Sequence, residues 1–199
     1  MKVALLGCGA QGKAIAYDLA ANNHSVLAID QNEKACRSLK NLPKRVANNI
    51  LAKTCDVEDK QKLGSLIQNV DIIVSALPGR YGKYIWKLAI ETKKNLVDIS
   101  YAPDDPFGLD KEAQRRNIKI VVDAGFAPGL SNILIGNAYT KLAPIEKITI
   151  YVGGLPQKPK LPLKYTLTWS IEDLIEEYTR PARIIRDYKI VNSTCTFRN

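Results

Sequence analysis

Six residues near the amino terminus constrain the fold of this chain more than any other feature. Gly7-Cys8-Gly9-Ala10-Gln11-Gly12 matches G-x-G-x-x-G; the apolar stretch Lys2 to Leu6 precedes it, and Ala14, Ile15, Leu19 and Ala20 follow at helical spacing. Each glycine has its own use. The first permits a tight turn off a strand, the second lets the backbone approach a pyrophosphate, and the third lets the helix pack closely on the sheet. The helix N-terminus then offers unpaired N–H groups and the positive end of its dipole to phosphates. Asp30 stands 18 residues beyond Gly12, at the end of a second strand, Val26 to Ile29. A carboxylate there accepts hydrogen bonds from ribose hydroxyls and repels a 2′-phosphate, while Gln31 and Asn32 bring no arginine to hold one. Gly7, Gly9, Ala10, Gln11, Gly12 and Asp30 are therefore read as dinucleotide-binding, with NAD the expected cofactor.

The rest of the chain repeats this strand–helix alternation. Gln31 to Leu42 reads as a charged helix stopped by Pro43, and Asp59 to Gln68 as an amphipathic one with Leu63, Leu66 and Ile67 on one face. Asp71 to Ala76 is apolar without alternation, as a parallel strand covered on both faces should be. Pro78-Gly79 breaks it, Tyr81 to Thr92 is helical, Leu96 to Ile99 is a strand, Asp110 to Asn117 a short helix and Ile118 to Val122 a strand. Such units imply right-handed crossovers and a Rossmann-type, doubly wound α/β domain over residues 1–135. The pattern then changes. Lys147 to Val152 and Leu163 to Thr168 read as strands around a stiff loop with three prolines, Gly153 to Pro162. Ser170 with Asp173 resembles a capping box opening a helix through Tyr178, and Arg183 to Val191 reads as two short strands around Asp187. Residues 136–199 are thus expected to form part of an α+β substrate or dimerisation domain.

Composition excludes several function classes. The longest apolar runs fall short of the ~18 to 20 residues of a membrane span, so no membrane partner is expected. The net charge of +9 invites a nucleic-acid reading, but the excess is spread out. Residues 70–135 carry 9 basic and 8 acidic groups, and no basic helix with interleaved aromatics occurs, so no nucleic-acid partner is expected either. Cys8, Cys36, Cys55 and Cys195 lie far apart, and His24 is the single histidine; no metal set is expected, and the cysteines read as reduced thiols of a cytoplasmic protein. Cys8 reads as a small filler residue of the glycine turn.

Ligands of open α/β sheets bind outside the carboxyl ends of the strands. Asp56-Val57 are accordingly expected beside the adenine, and Ser75-Ala76-Leu77-Pro78 beside the nicotinamide ribose. Two polar clusters, Asp98-Ile99-Ser100-Tyr101 and Asp123 to Asn132, follow the next two strands and are expected to face the same crevice. On these residues, together with Gly153-Gly154-Leu155-Pro156 and Trp169 to Arg183, the sequence resembles the saccharopine dehydrogenase-like family, most closely its lysine 6-dehydrogenase branch. The resemblance extends to about Val191, and its specific parts are Ala-Gly-Phe-Ala-Pro-Gly-Leu-Ser-Asn (124–132) and Trp-Ser-Ile-Glu-Asp-Leu-Ile-Glu-Glu-Tyr-Thr-Arg-Pro-Ala (169–182).

The resemblance implies an NAD-dependent oxidoreductase that moves hydride between the amine-bearing carbon of a lysine-like amino acid and nicotinamide. It implies Tyr101 and Asp123 as catalytic, proton-handling groups, and Ser100, Gly129, Asn132 and Arg180 as substrate contacts. The same residues fit plainer roles: Asp123-Ala124-Gly125 shaping a turn, Asn132 capping a helix, Tyr101 packing, and Arg180 pairing with Glu176 or Glu177. The second functional reading, from another class, is an NAD(H)-binding regulatory or sensing module without turnover. Because relatives of this kind continue well past this length, the chain is expected to be C-terminally truncated, with impaired turnover and with homo-oligomerisation covering an incomplete sheet.

Overall fold

The computed structural model describes residues 1–142, 144–154, 156–159, 162, 164 and 170–193. The chain divides into two compact units, Met1–Glu146 and Lys147–Asn199. In the first unit, β1 (Lys2–Leu6), β2 (Ser25–Asp30), β3 (Ile50–Thr54), β4 (Ile72–Ser75), β5 (Asn95–Asp98) and β6 (Ile120–Val121) form a parallel sheet in the order β3-β2-β1-β4-β5-β6. The strand order reverses between β1 and β4, so a crevice opens there at the carboxyl ends. This is the doubly wound, Rossmann-like sheet that the glycine turn implies.

Alternate residues of the strands feed two cores. On one face Ala4, Leu6, Ile29, Ile73 and Leu96 pack with residues of α4 (Lys60–Ile67), α5 (Gly82–Thr92) and α6 (Asp110–Arg115), including Leu63, Ile67, Ile85, Trp86 and Ala113. On the other, Leu5, Val26 and Ala28 pack with Ala16 and Ala20 of α1 (Ala10–Ala21), Cys36 of α2 (Glu33–Ser38) and Val46 of α3 (Lys44–Ala47). Burial on both faces is why the central strands lack polar alternation. Side chains fix several helix starts. Asn32 Oδ1 accepts from Lys34 N at 2.9 Å at the start of α2, and Asp59 Oδ1 accepts from Lys62 N at 3.0 Å at the start of α4.

Three expectations need correction or completion. The helix expected over Gln31 to Leu42 is divided: α2 ends at Ser38 and a 3₁₀ turn, Leu39–Asn41, continues it to Pro43. The strand β3 carries no strong sequence signal, because this edge strand is mostly exposed and includes Lys53 and Thr54. The last helix of the first unit, α7 (Leu130–Leu142), contains residue 135 and stays with that unit.

In the second unit, Ser170 Oγ accepts from Asp173 N at 3.3 Å and opens α8 (Ile171–Thr179), as the capping-box pattern implies. An antiparallel hairpin follows, β7 (Ala182–Arg186) and β8 (Lys189–Ser193), turning at Asp187 and Tyr188, both at positive φ. Residues 147–152 form neither helix nor strand. A strand is made by its ladder, and among the described residues nothing pairs with this segment. The strand expected at Leu163 to Thr168 and the Trp169 side chain lie outside the described residues.

Ile73, at the centre of β4 and fully buried, tests the larger core. Ile73→Ala should lower the unfolding free energy by about 2–5 kcal/mol, read from urea melts followed by far-UV circular dichroism.

Candidate active site

The glycine turn has the geometry its spacing implies. Gly7 leaves β1 at φ +96°, where a Cβ would lie 2.5 Å from the Ala76 carbonyl oxygen. A Cβ at Gly12 would run into the Gly7 carbonyl, so the start of α1 can lie against the end of β1 only without a side chain there. Gly9 is different. It is the N-cap of α1, no side chain caps that helix end, and a Cβ at Gly9 would meet none of the described atoms within 4 Å. Ala10 and Gln11 beside it are exposed. A helix end left open in front of a glycine suits a phosphate, which the first-turn N–H groups and the dipole would hold.

Asp30 closes the other side of this turn. Its Oδ2 accepts from Cys8 N at 2.7 Å, and its Oδ1 accepts from Asn32 N at 2.7 Å. The carboxylate is therefore already oriented at the carboxyl end of β2, with lone pairs remaining for ribose hydroxyls. Cys8 itself is buried, as its reading as a filler requires. Burial first, then the neighbouring Cys36 thiol and the Asp30 carboxylate, push the Cys8 thiol up to about 12, so it stays protonated and is no nucleophile at neutral pH. Cys36 donates to the Lys53 carbonyl at 3.4 Å. Among the described residues no group of side chains has the makings of a metal site.

Asp56 is exposed just beyond β3 and accepts from Glu58 N at 2.9 Å. Val57 turns the other way: its side chain is buried in the larger core and its carbonyl accepts from Tyr84 Oη at 2.7 Å. Of the expected Asp56-Val57 pair, only Asp56 is exposed at this strand end, while Val57 is the apolar anchor of the strand-to-helix turn. Ser75 ends β4 beside Leu6 of β1 and Asp98 of β5. Its hydroxyl is buried and finds no hydrogen-bond partner among the described residues. Ala76, Leu77 and Pro78 follow, partly exposed, next to the glycine turn.

The two polar clusters do come together, through Asp98. This residue is fully buried, and its carboxylate accepts from Trp86 Nε1 at 2.7 Å, Ser100 Oγ at 2.9 Å and Ser100 N at 3.0 Å. Ser100 is buried with it and its hydroxyl proton is committed to Asp98, so Ser100 shapes the loop where a substrate contact was expected. Tyr101 follows, partly exposed. Ala124 N donates to the Asp98 carbonyl at 2.9 Å, which seats the loop carrying Asp123 beside the one carrying Tyr101. Asp123 is exposed and sits at φ +52°.

The remaining substrate contacts expected in this loop have structural tasks. Gly129, at φ +130°, is packed so closely on Gly125 that a Cβ there would overlap its backbone. Asn132 Oδ1 accepts from Gly129 N at 3.2 Å and from Ser131 Oγ at 3.1 Å, which is the capping role, at the start of α7. Arg180 belongs to the second unit, as the C-cap of α8. Trp86 itself carries no sign in the sequence of its role as a donor to Asp98, since a buried donor looks like ordinary core in a periodic pattern. The clue available was an aspartate placed at the apolar end of β5.

The two ends of the glycine turn should respond oppositely to a methyl group. Gly12→Ala should lower stability by about 1–3 kcal/mol; Gly9→Ala should change the melting temperature little and weaken binding of the reduced nicotinamide dinucleotide roughly tenfold or more, as read by fluorescence titration. For Cys8, a folded-state value above the ordinary 9.0 means the unfolded chain ionises first as pH rises. Its contribution to stability is whole below pH 9 and is lost as pH rises toward about 12. The stability difference between the native chain and Cys8→Ala should therefore shift against the native chain across that window in urea melts.

Comparison with known proteins agrees with this geometry. Residues 3–123 match the saccharopine dehydrogenase NADP binding domain and residues 125–197 the saccharopine dehydrogenase C-terminal domain. The mitochondrial alpha-aminoadipic semialdehyde synthase of Rattus norvegicus is 28% identical over 200 residues, covering 97% of this chain and 21% of its own length. The saccharopine dehydrogenase [NADP(+), L-glutamate-forming] of Saccharomyces cerevisiae is 26% identical over 197 residues, covering 94% of this chain and 43% of its own. The solved apo structure of saccharopine dehydrogenase (L-Glu forming) from Saccharomyces cerevisiae superposes with a TM-score of 0.70 at 22% identity, over 98% of this chain and 44% of that one, and so shares the fold. This chain therefore spans less than half the length of these relatives. With a nicotinamide-dinucleotide domain followed by the matching C-terminal domain, the chain belongs to the saccharopine dehydrogenase family.

Proposed function

We propose that this chain binds NAD(H) across the carboxyl ends of β1, β2 and β4 and serves an oxidoreductase that moves hydride between nicotinamide and the amine-bearing carbon of a lysine-like amino acid. The observation that carries the cofactor part is the Asp30 carboxylate, held by Cys8 N and Asn32 N at the lip of an uncapped glycine turn. A fixed negative charge there opposes a 2′-phosphate. The yeast relative is named for NADP(+), so a preference for NAD would set this chain apart from it.

When bound, the nicotinamide accepts or supplies the hydride; the chain's residues do the rest. The first-turn N–H groups of α1 hold the phosphates and Asp30 orients the adenosine ribose. Ser75 to Pro78 border the nicotinamide end. Tyr101 and Asp123 sit on adjoining loops, where a carboxylate can take and return the amine proton and a phenol can hydrogen-bond the amine. A substrate amine set between them would gain orientation as well as a proton acceptor.

Fluorescence titration should show tighter binding of NADH than of NADPH. Asp30→Ala should shrink that preference roughly ten- to hundredfold, the value of about 1.5–3 kcal/mol for hydrogen bonds to a charged group. The NADH-to-NADPH ratio is the informative quantity, since losing the Cys8 contact disturbs the turn for both cofactors. Turnover is tested by NADH formation from NAD with lysine, saccharopine and related amines. Tight NADH binding with silence across that panel would leave a regulatory dinucleotide-binding module as the reading.

A further inference from the structure

Asp98 is the point at which four parts of the crevice meet. Its side chain accepts from Trp86 of α5 and twice from Ser100; its carbonyl accepts from Ala124; the next residue, Ile99, donates its N–H to the Ser75 carbonyl at 3.1 Å. Two of these partners adjoin the proton-handling groups: Ser100 precedes Tyr101 and Ala124 follows Asp123. Around this node the packing leaves little room, since a Cβ at Gly82 would strike Ala102 and lie 3.4 Å from Ser100 Oγ. A buried carboxylate is costly unless its lone pairs are filled. Three donors converge on Asp98, and Ser75, whose buried hydroxyl has no partner among the described residues, faces it across the β4–β5 ladder.

We infer that Asp98 is a positioning residue whose carboxylate, through Trp86 and Ser100, sets the Tyr101 loop for proton transfer against the Asp123 loop, which is tied to the same residue by its backbone carbonyl. It never touches substrate in this role, being fully buried. Trp86 supplies the donor that a plain core residue would lack, because a buried indole N–H needs a partner. Ser100 supplies both a hydroxyl and an N–H to the Asp98 carboxylate, which bends the chain directly after β5 and immediately before Tyr101. The inference rests on the roles proposed for Tyr101 and Asp123.

The test uses the full chain labelled with 3-fluorotyrosine, with the Tyr101 fluorine resonance identified by its loss in Tyr101→Phe. With NADH bound, Trp86→Phe and Asp98→Asn should each move that resonance by several linewidths, while the NADH dissociation constant stays within about twofold of the native value. Ile85→Val, a truncation in the same helix that removes no hydrogen bond, should move neither. Where an amine is turned over, Trp86→Phe should lower kcat roughly ten- to hundredfold with little change in KM, the signature of misplaced catalytic groups. If Asp98→Asn does not fold, Trp86→Phe decides alone. A Tyr101 resonance that stays in place in the folded Trp86→Phe chain overturns the inference, as does an equal shift in Ile85→Val. Absence of turnover in the native chain, with the resonance displaced in Trp86→Phe, defeats the proposed reaction and leaves the positioning role standing.

Discussion

The contact between Gly12 and the Gly7 carbonyl governs the rest of the first unit. Without a side chain at Gly12, α1 starts against the end of β1, which brings Ala16 and Ala20 onto the sheet. The same placement leaves the first turn of α1 pointing over the crevice between β1 and β4. Asp30 then reaches Cys8 N across the turn. One piece of backbone thus combines a closed position and an open one: Gly12 is pressed against the Gly7 carbonyl, while a Cβ at Gly9 would meet none of the described atoms within 4 Å.

The crevice is built by a division of labour among its polar residues. Asp98, Ser100, Gly129 and Asn132 are spent on holding the loops, through buried or close contacts. Asp30, Tyr101 and Asp123 reach the surface at strand ends, and these can face a ligand. Side chains carried on loops keep a fixed geometry only where contacts of the first kind anchor the loops, so the two groups belong together. Buried Asp98 is the costlier part of that arrangement, and its three donors offset the desolvation.

Much of this unit was legible in the chain, and the reasons are local. Lys2 to Leu6, Gly7 to Gly12 and Asp71 to Ala76 announce themselves through short apolar runs and glycine spacing. The edge strand β3 did not, because an exposed strand with Lys53 and Thr54 shares its composition with a loop. Ser170 and the Asp187 turn of the second unit were legible for the same local reason, a cap and a tight reversal. Residues 147–152 alternate as a strand does and yet form none, because alternation describes faces and says nothing about a pairing neighbour.

By itself, the sequence determined the alternation of strand and helix, the glycine turn and an acid at the end of β2, since each depends on residues within a few positions or on a fixed spacing. Tertiary structure decided which polar residues are spent on the scaffold. Asp98 and Trp86 lie 12 positions apart and Cys8 and Asp30 lie 22 apart, distances at which no helical or strand period links them. Whether an aspartate meets a substrate or an indole is settled by what the folded sheet places opposite it, and the sheet order β3-β2-β1-β4-β5-β6 sets that.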